Sequence, residues 1–301
     1  MQPAELMQEA RKLRWKARRR ADDLFSGEYH AAYKGQGIEF DEVREYQPGD
    51  EVRSIDWNVT ARTGRPFVKR FREERQLNVS LLMDCSARGV FGSMGKSKLR
   101  LAAEACGIIA IAASTNQDRV GLWTFADGPL AHVPAGGGPK QVMRILRELV
   151  AVEPRGGSAG LPETVKTVSM VQRRRSVVFI LGDFVVPRDP EELESWTIAL
   201  RRLARRHEVA ALRLSDPREL VLPRAGLIET VDPETGRRTL LDTGSGRVRR
   251  RWAARAAADR GVAAELLRSA GVDLVELSTD RAPADDLAAY FRRRERARAK
   301  H

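Results

Sequence analysis

Cysteine is almost missing from this chain of 301 residues. Cys85 and Cys106 are too few for a disulfide framework or a four-ligand zinc site, and Cys106, in a run of small apolar residues, reads as packing. Histidine is as sparse, and His30, His132, His207 and His301 show no metal-ligand spacing. No apolar run reaches the roughly 18 to 20 residues that span a bilayer. The opening stretch MQPAELMQEARKLRWKARRR has no apolar segment behind its charges, which removes an export signal. These absences point to a cytoplasmic protein. With 42% hydrophobic and 31% charged residues, the chain is suited to one large α/β domain with an elaboration.

Positive charge, by contrast, is in excess: the formal net charge is +12. Residues 1–20 and residues 291–301 each contribute +5, leaving +2 for the 270 residues between them. Arg201, Arg202, Arg205, Arg206 and 249–251 are local clusters inside that span. Such ends suit an acidic protein face, anionic lipid or nucleic acid, with solvated helix ends as the plainer account. The sequence has no helix-turn-helix, zinc-finger or RNA-recognition signature, which makes a nucleic-acid partner the weaker reading.

From about Gln76 onward, apolar and amphipathic stretches alternate. Strands are predicted at 77–83, 119–125, 176–181, 208–214 and 272–277, and helices at 98–113, 140–150, 162–172, 191–206, 249–269 and 283–298. Short apolar strands separated by helices imply a doubly wound, mainly parallel, Rossmann-like α/β sheet covered on both faces. LAAEACGIIAIAA, at 101–113, is apolar on nearly every side, so it is a buried helix. The piece at 130–133, after the Asp127-Gly128 turn signal, reads as a hairpin partner on the sheet edge. Two β-rich additions interrupt the alternation, one before residue 76 and one hairpin at 218–248 around Pro233 to Gly236. The predicted organisation is a basic helix at 1–24, a β-rich region at 25–75, a sheet domain at 76–290 and a basic tail at 291–301.

In an open parallel sheet, ligands bind beyond the carboxyl ends of the strands where strand order reverses. Three segments bring suitable groups there: Asp84-Cys85-Ser86, the loop Gly156-Gly157-Ser158, and Asp183 after VVFIL. Their carboxylates and hydroxyls are hard oxygen donors of the kind that hold Mg²⁺. GSMGKSK at 92–98 imitates the end of a phosphate loop. That loop needs a glycine five positions before Gly95, where Val90 stands. Ser86 and Cys85 have no histidine nearby in sequence and lie in no G-x-S-x-G elbow. A Mg²⁺-dependent enzyme acting on phosphate esters through Asp84 and Asp183 is the alternative from a different class. A weak nucleic-acid or anionic-surface binder working through the basic ends is another.

Together these segments resemble a von Willebrand factor A domain, whose metal-ion-dependent adhesion site reads D-x-S-x-S, a distant Thr and a later Asp. Residues 27–75 resemble the hallmark of the domain of unknown function 58 family. The features are Lys34-Gly35, Gly37 with Glu39-Phe40, Arg44 with Tyr46 and Pro48-Gly49-Asp50, Arg53 with Ile55-Asp56-Trp57, and Ala61-Arg62. VDLVELSTD before the last helix fits as well. The resemblance implies a non-catalytic partner protein, an adaptor for a MoxR-type AAA+ ATPase in assembly or maturation of client complexes.

On the adhesion-site pattern Asp84, Ser86, Ser158 and Asp183 take the metal positions, with Arg88 where the second serine belongs. A guanidinium there opposes a cation. It can instead bridge Asp84 and Asp183 through bidentate hydrogen bonds, or point into solvent and leave the site inert. In the hallmark, Arg44, Asp50, Arg53, Asp56 and Arg62 alternate in sign around Tyr46 and Trp57. That set suits an ion-pair network tying the addition to the sheet, or a partner-binding surface.

Overall fold

The structure, a computed structural model, describes residues 3–24, 28–33, 38–51, 54–73, 76–157 and 160–298. In chain order, helix α1 (Pro3–Leu24) and the short α2 (Glu28–Tyr33) precede strand β1 (Ile38–Glu45), α3 (Trp57–Thr63) and β2 (Phe67–Glu73). The sheet domain follows with β3 (Asn78–Asp84), α4 (Lys98–Thr115), β4 (Arg119–Phe125), β5 (Pro129–Gly136), α5 (Gly138–Ala151) and α6 (Leu161–Val171). Then come β6 (Val177–Gly182), α7 (Pro190–Arg206), β7 (Glu208–Ser215) and the single turn α8 (Pro217–Leu220). An inserted hairpin, β8 (Leu227–Val231) and β9 (Arg238–Asp242), leads to α9 (Gly246–Ser269), β10 (Asp273–Ser278) and α10 (Pro283–Arg298).

Six strands form one sheet in the order β10-β7-β6-β3-β4-β5. All neighbours are parallel except β5, which returns antiparallel along β4 at the edge. The strand runs are apolar on both faces because both faces are covered. On one face Val79, Leu81 and Met83 of β3 and Phe179 and Leu181 of β6 join α4, α5 and α10 in a single cluster. The alternate residues Leu82, Val178 and Ile180 face α6, α7 and α9. α4 is buried all round, as its sequence demands, because α1 and α5 flank it over the sheet.

The basic ends are not simply solvated. The inner stripe of α1, Ala10, Leu13 and Ala17, is buried against α4 and α5, leaving Arg11, Arg14, Arg18 and Arg19 outward. Lys16 reaches across to Glu104 of α4, 2.5 Å away. At the other end, Arg294 pairs with Glu208 and Asp273 and lies 4.7 Å over the Tyr33 ring. Arg298 donates to the Ala32 carbonyl at 2.9 Å. The addition at 38–73 holds the antiparallel pair β1–β2 with α3 between its strands, and α2 precedes it. The hairpin β8–β9 is a separate two-stranded sheet.

Candidate functional site

The chain leaves β3 toward β4 and enters β6 on the other side, so strand order reverses between β3 and β6. Asp84 ends β3 and Asp183 follows β6 at this point, and the structure brings the two carboxylates together. Gly182 allows the approach. A side chain there would meet Asp84 Cβ at 3.2 Å and Oδ2 at 3.3 Å. Asp84 Oδ1 accepts the Ser86 N–H at 2.8 Å, fixing the loop. Burial and the Asp183 carboxylate push Asp84 up to about 6, although Ser86 and Arg88 pull the other way.

Lys98, the first residue of α4, is nearly inaccessible and places its ammonium 3.4 Å from Asp183 Oδ2 and 2.6 Å from Glu219 Oε1. Burial alone would lower its pKa, but Asp183 and Glu219 outweigh it and the pKa ends above the ordinary value. Glu219 lies on α8, where it closes a capping box with Asp216: the Asp216 N–H donates to Glu219 Oε2 at 2.9 Å. Asp216 also accepts the Ser93 N–H at 2.8 Å, the Ser93 hydroxyl and the Thr279 hydroxyl. The loop that mimicked a phosphate loop is therefore tied to the ends of β7 and β10. Lys98 at its end is an internal counter-charge, and Lys96, in the imitated lysine position, donates to the Arg281 carbonyl at 2.7 Å.

On the opposite side, Ala87 N–H donates to the Gly156 carbonyl and Arg155 N–H to the Cys85 carbonyl, joining the loops after β3 and α5. Gly156 has φ +52°, and a Cβ there would run into the Asp127 carboxylate, which in turn accepts the Gly157 N–H at 2.8 Å. Ser158, the expected hydroxyl, lies outside the described residues.

Arg88 follows neither sequence expectation. It does not hydrogen-bond Asp84 and Asp183, nor does it point into solvent. Its Nη2 lies 2.6 Å from Glu234 Oε2, at the tip of the β8–β9 hairpin 146 residues away. Nη1 is buried with no hydrogen-bond partner among the described residues. The reason is electrostatic and geometric. Asp84 and Asp183 draw the guanidinium inward, while the inserted hairpin supplies a carboxylate it can reach.

These residues do not suit Mg²⁺. An octahedral ion needs open oxygen donors, whereas Asp183 already carries the Lys98 ammonium on Oδ2 and the Val185 N–H on Oδ1. Arg88 brings a second cation where a neutral oxygen is needed. No cluster of three or more His, Cys, Asp or Glu able to hold a metal occurs among the described residues. A nucleophile is equally ill served. Burial pushes the Cys85 thiol up to about 12, His207 precedes β7 at the far end of the sheet, and His132 stacks on Trp123.

In the hallmark region, Arg44 grips Asp50 with both terminal nitrogens, at 2.8 and 2.6 Å. Asp56 caps α3, accepting the Asn58 N–H at 3.0 Å. These bonds close the turn around Pro48-Gly49 and start the helix. Tyr46 is half-buried, and Trp57 and Arg62 are exposed, Trp57 by 67%. Arg53 lies outside the described residues. Sequence reasoning missed Lys98, Glu219, Asp216 and Glu234. Asp216-Pro217 with Glu219 three residues on is a helix-start signature that marks two of them.

A parallel sheet of this order, with an antiparallel edge strand and an Asp-x-Ser at the end of β3 beside the aspartate after β6, defines a von Willebrand factor A-like domain. Residues 42–262 match the family described as "Protein of unknown function DUF58", and the chain belongs to that family. A relative in Mycobacterium tuberculosis (strain ATCC 25618 / H37Rv), itself described as uncharacterized, is 32% identical over 290 residues, covering 95% of this chain and 89% of its own. YeaD of Bacillus subtilis (strain 168) is 45% identical over 42 residues, 14% of this chain and 11% of its own. Among solved structures, BatB from Bacteroides thetaiotaomicron superposes with a TM-score of 0.50 at 13% identity, covering 73% of this chain and 99% of that one, a likeness of fold alone. A von Willebrand factor type A structure from Catenulispora acidiphila gives 0.40 at 15% identity, covering 73% of this chain and 42% of that one.

Proposed function

We propose that this protein is a non-catalytic interaction module, and that its partner is a MoxR-type AAA+ ATPase engaged in assembling or maturing a client complex. The observation that supports a docking role is the state of the strand-end groups. Arg88, Lys98 and Asp183 are each bound to another part of the chain and Asp84 to Ser86 of its own loop, so the charged groups among the described residues are already engaged. The loops around it nevertheless expose apolar side chains: Val90, Phe91 and Met94 after β3, and Val185 after β6. A charged centre within an apolar rim is a composition suited to protein recognition. The ATPase assignment rests on the family resemblance. Co-purification of the tagged chain with a MoxR-type ATPase of the same organism, in the presence and absence of ATP, tests it. Capture that Phe91→Asp abolishes without changing the melting temperature supports the reading. Phosphate-ester turnover that disappears in Asp84→Asn overturns it.

A further inference from the structure

The Arg88–Glu234 pair joins two parts of the molecule with very different footing. Arg88 sits on a 3-10 turn bonded back to Ser86, and the buried carboxylates of Asp84 and Asp183 hold its charge in place. Glu234 is carried by a hairpin whose strands leave Leu227, Val231 and Leu240 exposed, so little apolar packing secures the arm. Within the tip, Asp232 accepts the Glu234 N–H at 2.9 Å, which presents the Glu234 side chain.

The bond also leaves the guanidinium half used. Glu234 engages Nη2 at 2.6 Å while Nη1 stays buried and unpartnered. A buried donor without an acceptor loses its hydration with nothing in return, and a planar guanidinium is shaped to hold a carboxylate through both terminal nitrogens. A carboxylate gripping both nitrogens would therefore be a better occupant than Glu234.

We propose that Arg88 is a docking point for an acidic side chain of a partner protein, with Glu234 as the chain's own placeholder, displaced when that side chain arrives. The exposed Val90, Phe91, Met94 and Val185 then meet the apolar neighbours of the incoming residue. This rests on the reading of the chain as an interaction module and adds the chemistry of the contact.

The probe is a labelled synthetic copy of residues 231–237, VDPETGR, offered in trans to the whole chain and followed by fluorescence anisotropy. Glu234→Gln, which opens the position, is expected to bind it at least about tenfold more tightly than wild type, because an attached competitor acts at millimolar effective concentration. A peptide with Gln in place of its Glu, or Arg88→Gln added to Glu234→Gln, is expected to lose that binding. Equal affinity for wild type and Glu234→Gln, binding that survives loss of Arg88, or no binding to any form overturns the proposal.

Hydrogen exchange of the unmutated chain gives a second test that needs no variant to fold. Saturating peptide is expected to speed exchange across 227–242, and unchanged exchange overturns the exchange of partners. Neither assay contains the ATPase. Failure of ATPase capture with peptide exchange intact refutes only the wider reading, and the reverse refutes only this one.

Discussion

At the scale of single residues, the molecule keeps buried charge by pairing it and buried imidazole by keeping it neutral. Lys98 illustrates the first, since Asp183 and Glu219 surround an ammonium that burial would otherwise discharge. His207 illustrates the second. It is buried, neither ring nitrogen has a hydrogen-bond partner among the described residues, and burial together with Arg206 and Arg175 holds it down to about 4. An imidazole whose folded pKa lies below its unfolded value binds fewer protons in the native state. Stability is then full above about pH 6.5 and falls as pH drops toward 4. Urea midpoints are therefore expected to decline between pH 7 and pH 5 more steeply in wild type than in His207→Leu. Parallel slopes would refute the assignment. The sequence showed His207 only as an isolated histidine, because its cationic neighbour Arg175 precedes a different strand.

At the scale of elements, strands β3, β4, β6, β7 and β10 were legible because an uninterrupted apolar run between helices has few other uses. α4 was legible because it lacks a polar face. α1 was legible as a helix, but its place in the core was not: seven basic side chains in 1–20 obscure the stripe Ala10, Leu13 and Ala17. That stripe meets α4 at Gly107, where an added Cβ would come within 3.5 Å of Ala17 and 3.1 Å of Leu146. Leu13→Ala is expected to destabilise the fold by about 2–5 kcal/mol, the cost of a cavity in a packed interior. A loss under about 0.5 kcal/mol in urea unfolding, typical of a surface site, would show that α1 is only laid against the surface.

At the scale of the whole molecule, the candidate site was half legible. Asp84, Ser86 and Asp183 could be placed from strand ends, since topology dictates where they fall. Their partners could not, because Glu219 and Glu234 lie 121 residues from Lys98 and 146 from Arg88 in sequence. Those partners change the chemistry, setting the chain's own cations beside the carboxylates. A site holding Mg²⁺ at one hundred times its Kd would gain about 2.7 kcal/mol of stability. The expected result is one melting temperature in EDTA and in millimolar Mg²⁺; a rise of several degrees with Mg²⁺ would restore the metal.

The meeting of α2 with α10 also bears on the order in which the protein can be made. Tyr33 forms its hydroxyl contact with Tyr290, 257 residues later, and its ring meets Phe291 at 6.1 Å. Synthesis must therefore pass residue 291 before Tyr33 finds these two neighbours, and contacts of such long sequence separation slow folding. Until then α2 lacks its α10 neighbours, whereas the α1 stripe is covered once α4 and α5 have been made. The aromatic face of α2 is therefore a late surface to close, and α10 is the helix that closes it.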